Sequence, residues 1–146
     1  MAGHTLPMSH FSHRLTVEYA HTDMAGIVHF SEFFKYMEAT EHAFFRSIGM
    51  SISMDIDGRH VSWPRVSSSF DFKRPLRFEN DFDSALTIEQ IGTSSITYRC
   101  DVRMDGELMA TGKTTSVCCE VVPGQGLKKI PIPDELRVVF ERVLHA

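Results

Sequence analysis

A single change in the spacing of apolar residues constrains the fold of this chain most strongly. Up to about residue 19, and again after Gly58, apolar and polar residues alternate as they do in half-buried strands. Between these regions, from Phe30 to Ile48, apolar residues recur every three or four positions, and Gly49 follows where a helix cap belongs. The pattern predicts one amphipathic helix of about five turns. The strands on either side of it imply an antiparallel sheet, with the helix packed on one face.

The alternating regions predict five strands. The first covers residues 11–19 and the others cover residues 61–72, 82–88, 96–104 and 108–122. A phase change at Pro64-Arg65 indicates a bulge or an edge, and Asp105-Gly106 is typical of a two-residue hairpin turn. Pro133-Asp134 open a short C-terminal helix. We therefore expect an α+β fold in which a five-stranded antiparallel sheet packs around one long helix.

Length and composition limit the classes of protein that fit. With 146 residues the chain is expected to form a single domain, residues 1–146, whose first ten residues form a flexible N-terminus. Hydrophobic residues make up 42% of the chain and charged residues 23%, and the formal net charge is -4. These values predict neither disorder nor a nucleic-acid-binding surface.

The cysteines and the N-terminus bear on location. Cys100, Cys118 and Cys119 are odd in number and lack CxxC spacing, so reduced thiols in the cytoplasm are the simplest interpretation. The first dozen residues lack the basic and apolar regions of a signal peptide. No stretch approaches the roughly 18 apolar residues that a membrane span requires, so no membrane span is expected.

The segment from Tyr19 to Phe34 is the strongest candidate for chemistry. It joins the first strand to the long helix, and loops at such junctions often carry functional residues. A helix N-terminus offers unpaired backbone N–H groups and a partial positive charge, both suited to a developing oxyanion. Asp23, on the incoming loop, could face that site across a substrate carbonyl.

The segment also carries a family resemblance. Asp23-Met-Ala-Gly26-Ile-Val28-His29-Phe30 is similar to the D-x-x-G-[IV]-V-x-[FYH] signature of 4-hydroxybenzoyl-CoA thioesterases and their YbgC-like relatives. The element order supports the match, as do three further segments that fall in the expected order over residues 11–140. These segments are Trp63-Pro64-Arg65-Val66, Arg74-Pro75-Leu76 and Ser94-Ser95.

The resemblance implies a hotdog fold and hydrolysis of acyl-CoA thioesters. It further implies homo-oligomers, dimers or tetramers, in which sheets join edge to edge and active sites lie at the dimer interface. By this resemblance Asp23 attacks the thioester carbonyl or activates water, and the backbone N–H of Phe30 polarises the carbonyl oxygen. The positions expected to contact the substrate are Gly26, Val28, Trp63 and Ser94.

Two other residues compete for catalytic roles. His29 stands where YbgC-like chains have tyrosine, since those chains read Tyr-His and this one reads His29-Phe30. It could be an acid or base, or a hydrogen-bonded structural residue. Glu41 falls near the centre of the apolar stripe of the helix, where it could be either a catalytic acid or the partner of a strand residue.

Coenzyme A is polyanionic, so its site should include basic residues. Lys128 and Lys129 are the favoured candidates, and Lys73, Arg74 and Arg77 are the alternative. No metal site is expected, because His10-x-x-His13 lacks further ligands at zinc spacing. No GxSxG elbow occurs and no bound cofactor is expected.

Two alternatives to thioester hydrolysis stay open at this point. A hotdog hydratase or dehydratase would pair a histidine with a carboxylate for proton transfer on a 3-hydroxyacyl thioester. A subunit without turnover would bind acyl-CoA or an acyl-carrier protein. Thioester assays separate an enzyme from a binder, and water addition to a crotonyl thioester separates the two enzymes.

Overall fold

The computed structural model describes residues 10–144. The predicted flexible N-terminus lies outside the described residues except for His10, which begins the first strand. The strands are β1 (His10–Thr16), β2 (Met54–Ile56), β3 (Arg59–Ser62), β4 (Arg65–Phe72), β5 (Asp81–Ile91), β6 (Ser95–Met104), β7 (Glu107–Val117), β8 (Cys119–Val122) and β9 (Gly126–Lys129). The helices are α1 (Phe30–Ser47) and α2 (Asp134–Leu144), and Tyr19–His21 form one turn of 3-10 helix.

The larger sheet has five antiparallel strands in the order β1-β5-β6-β7-β4. Helix α1 packs on one face of this sheet, and the apolar side chains between them form the core. The predicted α+β arrangement of a five-stranded sheet, one long helix and a short C-terminal helix is confirmed. Strands β1 and β4 are the two edges of the sheet.

Helix α1 follows the predicted apolar period. Its buried face includes Phe33, Met37, Phe44 and Phe45. The C-terminus closes as a Schellman motif, because the N–H of Met50 donates to the carbonyl of Phe45 and the N–H of Gly49 donates to that of Arg46. Gly49 has a φ of +76°, which explains the glycine at this cap.

A second sheet was not expected from the sequence. It has four strands in the order β2-β3-β8-β9. The single strand predicted over residues 108–122 is wrong: it divides at Cys118, whose N–H donates to the carbonyl of Ser94, so β7 and β8 belong to different sheets. The strand predicted over residues 61–72 divides in the same way at Trp63-Pro64. The phase change at Pro64-Arg65 was interpreted as a bulge or an edge, and the residues around Cys118 include no glycine or proline, so the sequence pattern did not reveal either change of sheet.

The two predicted irregularities of the strands are present. The pairing of β4 with β7 changes register between Arg65 and Ser67, which is the bulge expected after Pro64. Asp105 and Gly106 have φ values of +52° and +79° and form the tight turn between β6 and β7.

All three cysteines are free and buried. Neither α1 nor α2 is long and apolar enough to cross a membrane.

Candidate active site

The loop between β1 and α1 folds into a narrow hairpin. The N–H of Asp23 donates to the carbonyl of Ile27 and the N–H of Gly26 donates to that of Asp23, both at 2.9 Å. Thr22 and Val28 pair at the base. Gly26 has a φ of +78°, which is the left-handed conformation that closes three-residue hairpin loops. The motif glycine is therefore required by the backbone of the turn.

The carboxylate of Asp23 is held by one oxygen. Its Oδ1 accepts a hydrogen bond of 2.9 Å from the N–H of Ala25, which fixes the side chain above the turn. Its Oδ2 makes no hydrogen bond or ion pair within residues 10–144. One oxygen thus orients the group and the other is available to a ligand.

The hairpin is fixed to the segment that follows β4. The N–H of Val28 donates to the carbonyl of Leu76 at 2.8 Å, and Ile27 pairs with Arg77. Val28 and Leu76 are buried, at 5% and 0% exposure, so this contact belongs to the core. Asp23 therefore stands on a loop with a rigid base.

The N-terminus of α1 lies directly after this hairpin. His29 is the N-cap residue, and its Nδ1 accepts from the N–H of Ser31 and lies 2.8 Å from the Ser31 Oγ. The N–H of Phe30 has no hydrogen-bond partner within residues 10–144. It is a donor at the positive end of the helix dipole and is free to bind an anion or a carbonyl oxygen.

Asp23 and Phe30 both line one cavity of about 500 Å³. Three of the predicted site residues line it, namely Asp23, Val28 and Phe30. The rest of the lining consists of Ile27, Phe33, Phe72, Lys73, Arg74 and Pro75. The cavity therefore combines a carboxylate, apolar walls and two basic side chains.

A second cavity, of about 770 Å³, lies at the same loop. Asp23 lines this one too, together with Gly26 and His29. Phe30 and His29 are adjacent in sequence, but they line different cavities. The ring of His29 is occupied by its capping contacts with Ser31, and its predicted catalytic role stays a prediction.

The other residues predicted to contact substrate lie elsewhere in the fold. Trp63 is 5% exposed and packs in the core, with ring centroids 6.1 Å from Phe45 and 5.9 Å from Phe140. Ser94 accepts the N–H of Cys118 with its main-chain carbonyl. Neither residue lines the two cavities, and their contacts with substrate remain predictions.

The predicted basic contacts for coenzyme A divide between two places. Lys128 and Lys129 are exposed on β9 of the smaller sheet and line neither cavity. Lys73 and Arg74 line the cavity of Asp23. Arg74 forms an ion pair with Glu107, whereas Lys73 has no ion pair within the described chain. Of the two clusters only the alternative one contributes side chains to this cavity, and contacts of either cluster with coenzyme A remain predictions.

Sequence reasoning missed part of the site. Phe33 and Phe72 line the cavity. In the sequence they fit the apolar spacing of a helix and of a strand, respectively, which is typical of core residues. His21, two residues before Asp23, was not identified, because a single histidine in a loop carries no spacing signal.

The rival carboxylate, Glu41, is fully buried and paired with Arg65, and it lines neither cavity. Within residues 10–144 no three His, Cys, Asp or Glu side chains cluster as metal ligands.

Comparison with known proteins settles the family. The family model described as the thioesterase-like superfamily matches residues 17–140. The chain belongs to the thioesterase-like superfamily. The resemblance seen in the sequence is therefore confirmed, and so are the hotdog fold and the thioesterase class of enzyme.

Individual relatives cover almost the whole chain. A protein of Aquifex aeolicus, provisionally named an esterase, is 30% identical over 132 residues, which is 90% of this chain and 98% of the relative. A 1,4-dihydroxy-2-naphthoyl-CoA hydrolase of Synechocystis is 28% identical, with coverage of 86% and 91%. Among solved structures, a gentisyl-coenzyme A thioesterase superposes with a TM-score of 0.77 at 26% identity, with coverage of 87% and 99%.

Proposed function

We propose that this protein hydrolyses acyl-CoA thioesters to the free acid and coenzyme A. The observation that carries the proposal is that Asp23 and Phe30 line one cavity, and that within residues 10–144 Asp23 has a carboxylate oxygen and Phe30 an N–H without a hydrogen-bond partner. Relatives named as a 1,4-dihydroxy-2-naphthoyl-CoA hydrolase and a gentisyl-coenzyme A thioesterase support acyl-CoA as the substrate.

The N–H of Phe30 receives the carbonyl oxygen of the thioester. Negative charge develops on that oxygen as the carbonyl carbon becomes tetrahedral, and the helix N-terminus stabilises it. The donor is part of the backbone of α1, so it needs no reorganisation during the reaction. Loss of a single such donor typically lowers turnover by about 10² to 10³.

Asp23 acts on the carbonyl carbon by one of two routes. In the first, Oδ2 bonds to that carbon, the C–S bond breaks, the thiolate of coenzyme A leaves, and water then hydrolyses the resulting anhydride. In the second, the carboxylate takes a proton from a water molecule that attacks the same carbon, the C–S bond breaks, and the leaving thiolate of coenzyme A takes up that proton. Both routes consume only water besides the substrate, so the proposal includes no metal or bound cofactor.

Aromatic side chains suggest the kind of acyl group. Phe30, Phe33 and Phe72 line the cavity, and the rings of Phe33 and Phe72 are 5.1 Å apart at their centroids in an edge-to-face arrangement. Such walls favour a flat aromatic acyl group or a short to medium aliphatic one. Aromatic acyl groups in the names of two relatives support the first.

A homodimer completes this site. Strand β4 is a sheet edge whose outer neighbour is missing in one chain, and its residues Val66 and Phe72 are 65% and 48% exposed. An unpaired edge with exposed apolar side chains favours pairing with another strand. Because Phe72 also lines the cavity, a second chain paired along β4 would cover the site and shield it from bulk solvent.

A panel of acyl-CoA esters with release of free thiol as the readout tests the proposal. Hydroxybenzoyl, benzoyl, short aliphatic and long aliphatic esters belong in the panel. Asp23→Asn should keep the fold and lower turnover of the best substrate by about 10² to 10⁴. Glu41→Gln is the matched control, since it changes the other candidate carboxylate in the same way. If Glu41→Gln abolishes turnover and Asp23→Asn does not, the proposed role of Asp23 is wrong.

A further inference from the structure

The main chain of His21 closes the base of the hairpin that carries Asp23. His21 ends the 3-10 turn that follows β1, and its carbonyl accepts a hydrogen bond of 2.9 Å from the N–H of His29, the N-cap residue of α1. Asp23 is two residues after His21, and Phe30 is the residue after His29. A shift of His21 would therefore move the carboxylate and the helix N-terminus relative to each other.

The ring of His21 is held by two donors that share the one lone pair of its Nδ1. Its Nδ1 lies 3.0 Å from the backbone N of Glu18 and 2.9 Å from the hydroxyl oxygen of Tyr36. A backbone N–H can only donate, so Nδ1 carries no hydrogen and acts as the acceptor. The arrangement that satisfies both contacts has the hydrogen of the neutral ring on Nε2 and the hydroxyl of Tyr36 donating to Nδ1.

Tyr36 gives this contact a rigid support. It lies on the buried face of α1, is 4% exposed, and packs at ring-centroid distances of 5.8 Å from Phe33 and 4.8 Å from Phe82. Burial, together with the charges of Glu32 and Glu18, raises the pKa of Tyr36 well above its ordinary value, so its hydroxyl keeps the proton that it donates. The position of His21 is thereby set by the core.

We propose that His21 is a positioning residue, held by Tyr36, that fixes Asp23 against the N-terminus of α1 for thioester hydrolysis. The proposal rests on the proposed function of Asp23. A misplacement of about 1 Å between reacting groups can lower turnover by about 100-fold. The side chains proposed to contact substrate, Phe33, Phe72 and Lys73, line the cavity, and His21 does not. Loss of the link should therefore lower kcat and leave KM nearly unchanged.

Three variants test the hydrogen bond itself. His21→Leu removes the acceptor, and kcat should fall by about tenfold to 100-fold. His21→Asn keeps an acceptor oxygen close to the place of Nδ1, so it should restore most of the wild-type kcat. Tyr36→Phe removes only the hydroxyl and should lower kcat in the same direction. Tyr98→Phe is the control, because Tyr98 is the other fully core tyrosine and its hydroxyl makes no hydrogen bond within residues 10–144.

Two measurements that do not depend on turnover accompany the kinetics. The ¹⁵N shift of the His21 ring should identify Nδ1 as the unprotonated nitrogen in the wild type and should change in Tyr36→Phe. Amide hydrogen exchange at Gly26, whose N–H bonds to the carbonyl of Asp23, should be faster in His21→Leu than in the wild type.

The outcomes are distinct. A wild-type kcat in both His21→Leu and Tyr36→Phe would overturn the positioning role, and so would equal losses in His21→Leu and His21→Asn, since those would mean that an acceptor at the place of Nδ1 does not sustain turnover. Failure of the proposed function has a different signature. In that case Asp23→Asn stays active, while the ¹⁵N shift and the exchange at Gly26 still respond to the loss of the link.

Discussion

The carboxylate of Glu41 and the guanidinium of Arg65 form an ion pair in which the carboxylate is 0% exposed. Arg65 is the first residue of β4 and also contacts Glu38 on the outer side of α1 at 3.3 Å. The second oxygen of Glu41, Oε2, is buried without a hydrogen bond within residues 10–144. The pair links the centre of α1 to the edge strand, which accounts for an acidic residue on the apolar stripe.

This environment should make stability depend on pH through Glu41. Burial raises the pKa of Glu41 from 4.5 to about 7, although the charge of Arg65 opposes the shift. Between these values the folded chain holds a proton that the unfolded chain releases, so the free energy of unfolding falls as pH rises from about 4.5 to about 7. The stabilisation is complete below 4.5 and is lost as pH passes through the folded value.

Glu41→Gln should remove that dependence. Urea unfolding of the wild type and the variant at about pH 5 and about pH 8 measures it, and the wild type should lose more stability between the two pH values than the variant does. Parallel curves for the two proteins would show that Glu41 keeps an ordinary pKa in the folded state.

Lys73 should contribute to the binding of coenzyme A. It lines the cavity of Asp23 and has no ion pair within the described chain, so its charge is available to a phosphate. Lys73→Ala should raise KM for acyl-CoA by about threefold to fivefold, as expected for one exposed charge, and leave kcat unchanged. An acyl thioester of N-acetylcysteamine, which lacks the nucleotide, should be unaffected. If only the double replacement of Lys128 and Lys129 by alanine raises KM, the phosphates bind at β9 instead.

The edge of β4 should mediate the proposed dimer. The wild type should run at about twice the chain mass of 16.6 kDa in light scattering. Val66→Lys, which places a charge on the exposed edge, should shift the protein towards monomer and lower activity at low concentration. Val138→Lys is the matched control, because Val138 is also exposed, at 53%, but lies on α2. An active wild-type monomer would contradict the shared site.

Gly26→Ala should impair catalysis beyond its cost in stability. An alanine Cβ at Gly26 meets no atom within 4 Å, so the substitution acts only through the left-handed φ, at a cost of about 1 to 2 kcal/mol. Gly124→Ala is a close match, since Gly124 has a φ of +75° and equally open surroundings in the turn between β8 and β9. The two variants should lose similar stability in thermal unfolding, but only Gly26→Ala should lower kcat. Equal activities would mean that the hairpin tolerates the change without moving Asp23.

The sequence by itself determined the local features of this protein. The apolar period predicted α1, and Gly49 predicted its C-terminal cap. The period is clear because every turn of so long a helix places apolar residues on its buried face. The position of Asp23 and Gly26 on the loop before the helix N-terminus was indicated by the sequence, because turns and caps are formed by residues close in sequence, but the hairpin itself was not predicted. A family resemblance then supplied the fold and the class of enzyme.

Tertiary structure decided which distant residues meet. Trp63 was expected to contact substrate but lies in the core. Lys73, which the sequence offered only as an alternative to Lys128 and Lys129, lines the cavity. Glu41 became a buried partner of Arg65, which is 24 residues away. The division of two predicted strands between sheets depends on where the chain leaves one ladder for another, and neither the phase change at Pro64-Arg65 nor the residues around Cys118 identify that change of sheet. Contacts of this kind follow from packing and long-range pairing, which periodicity does not encode.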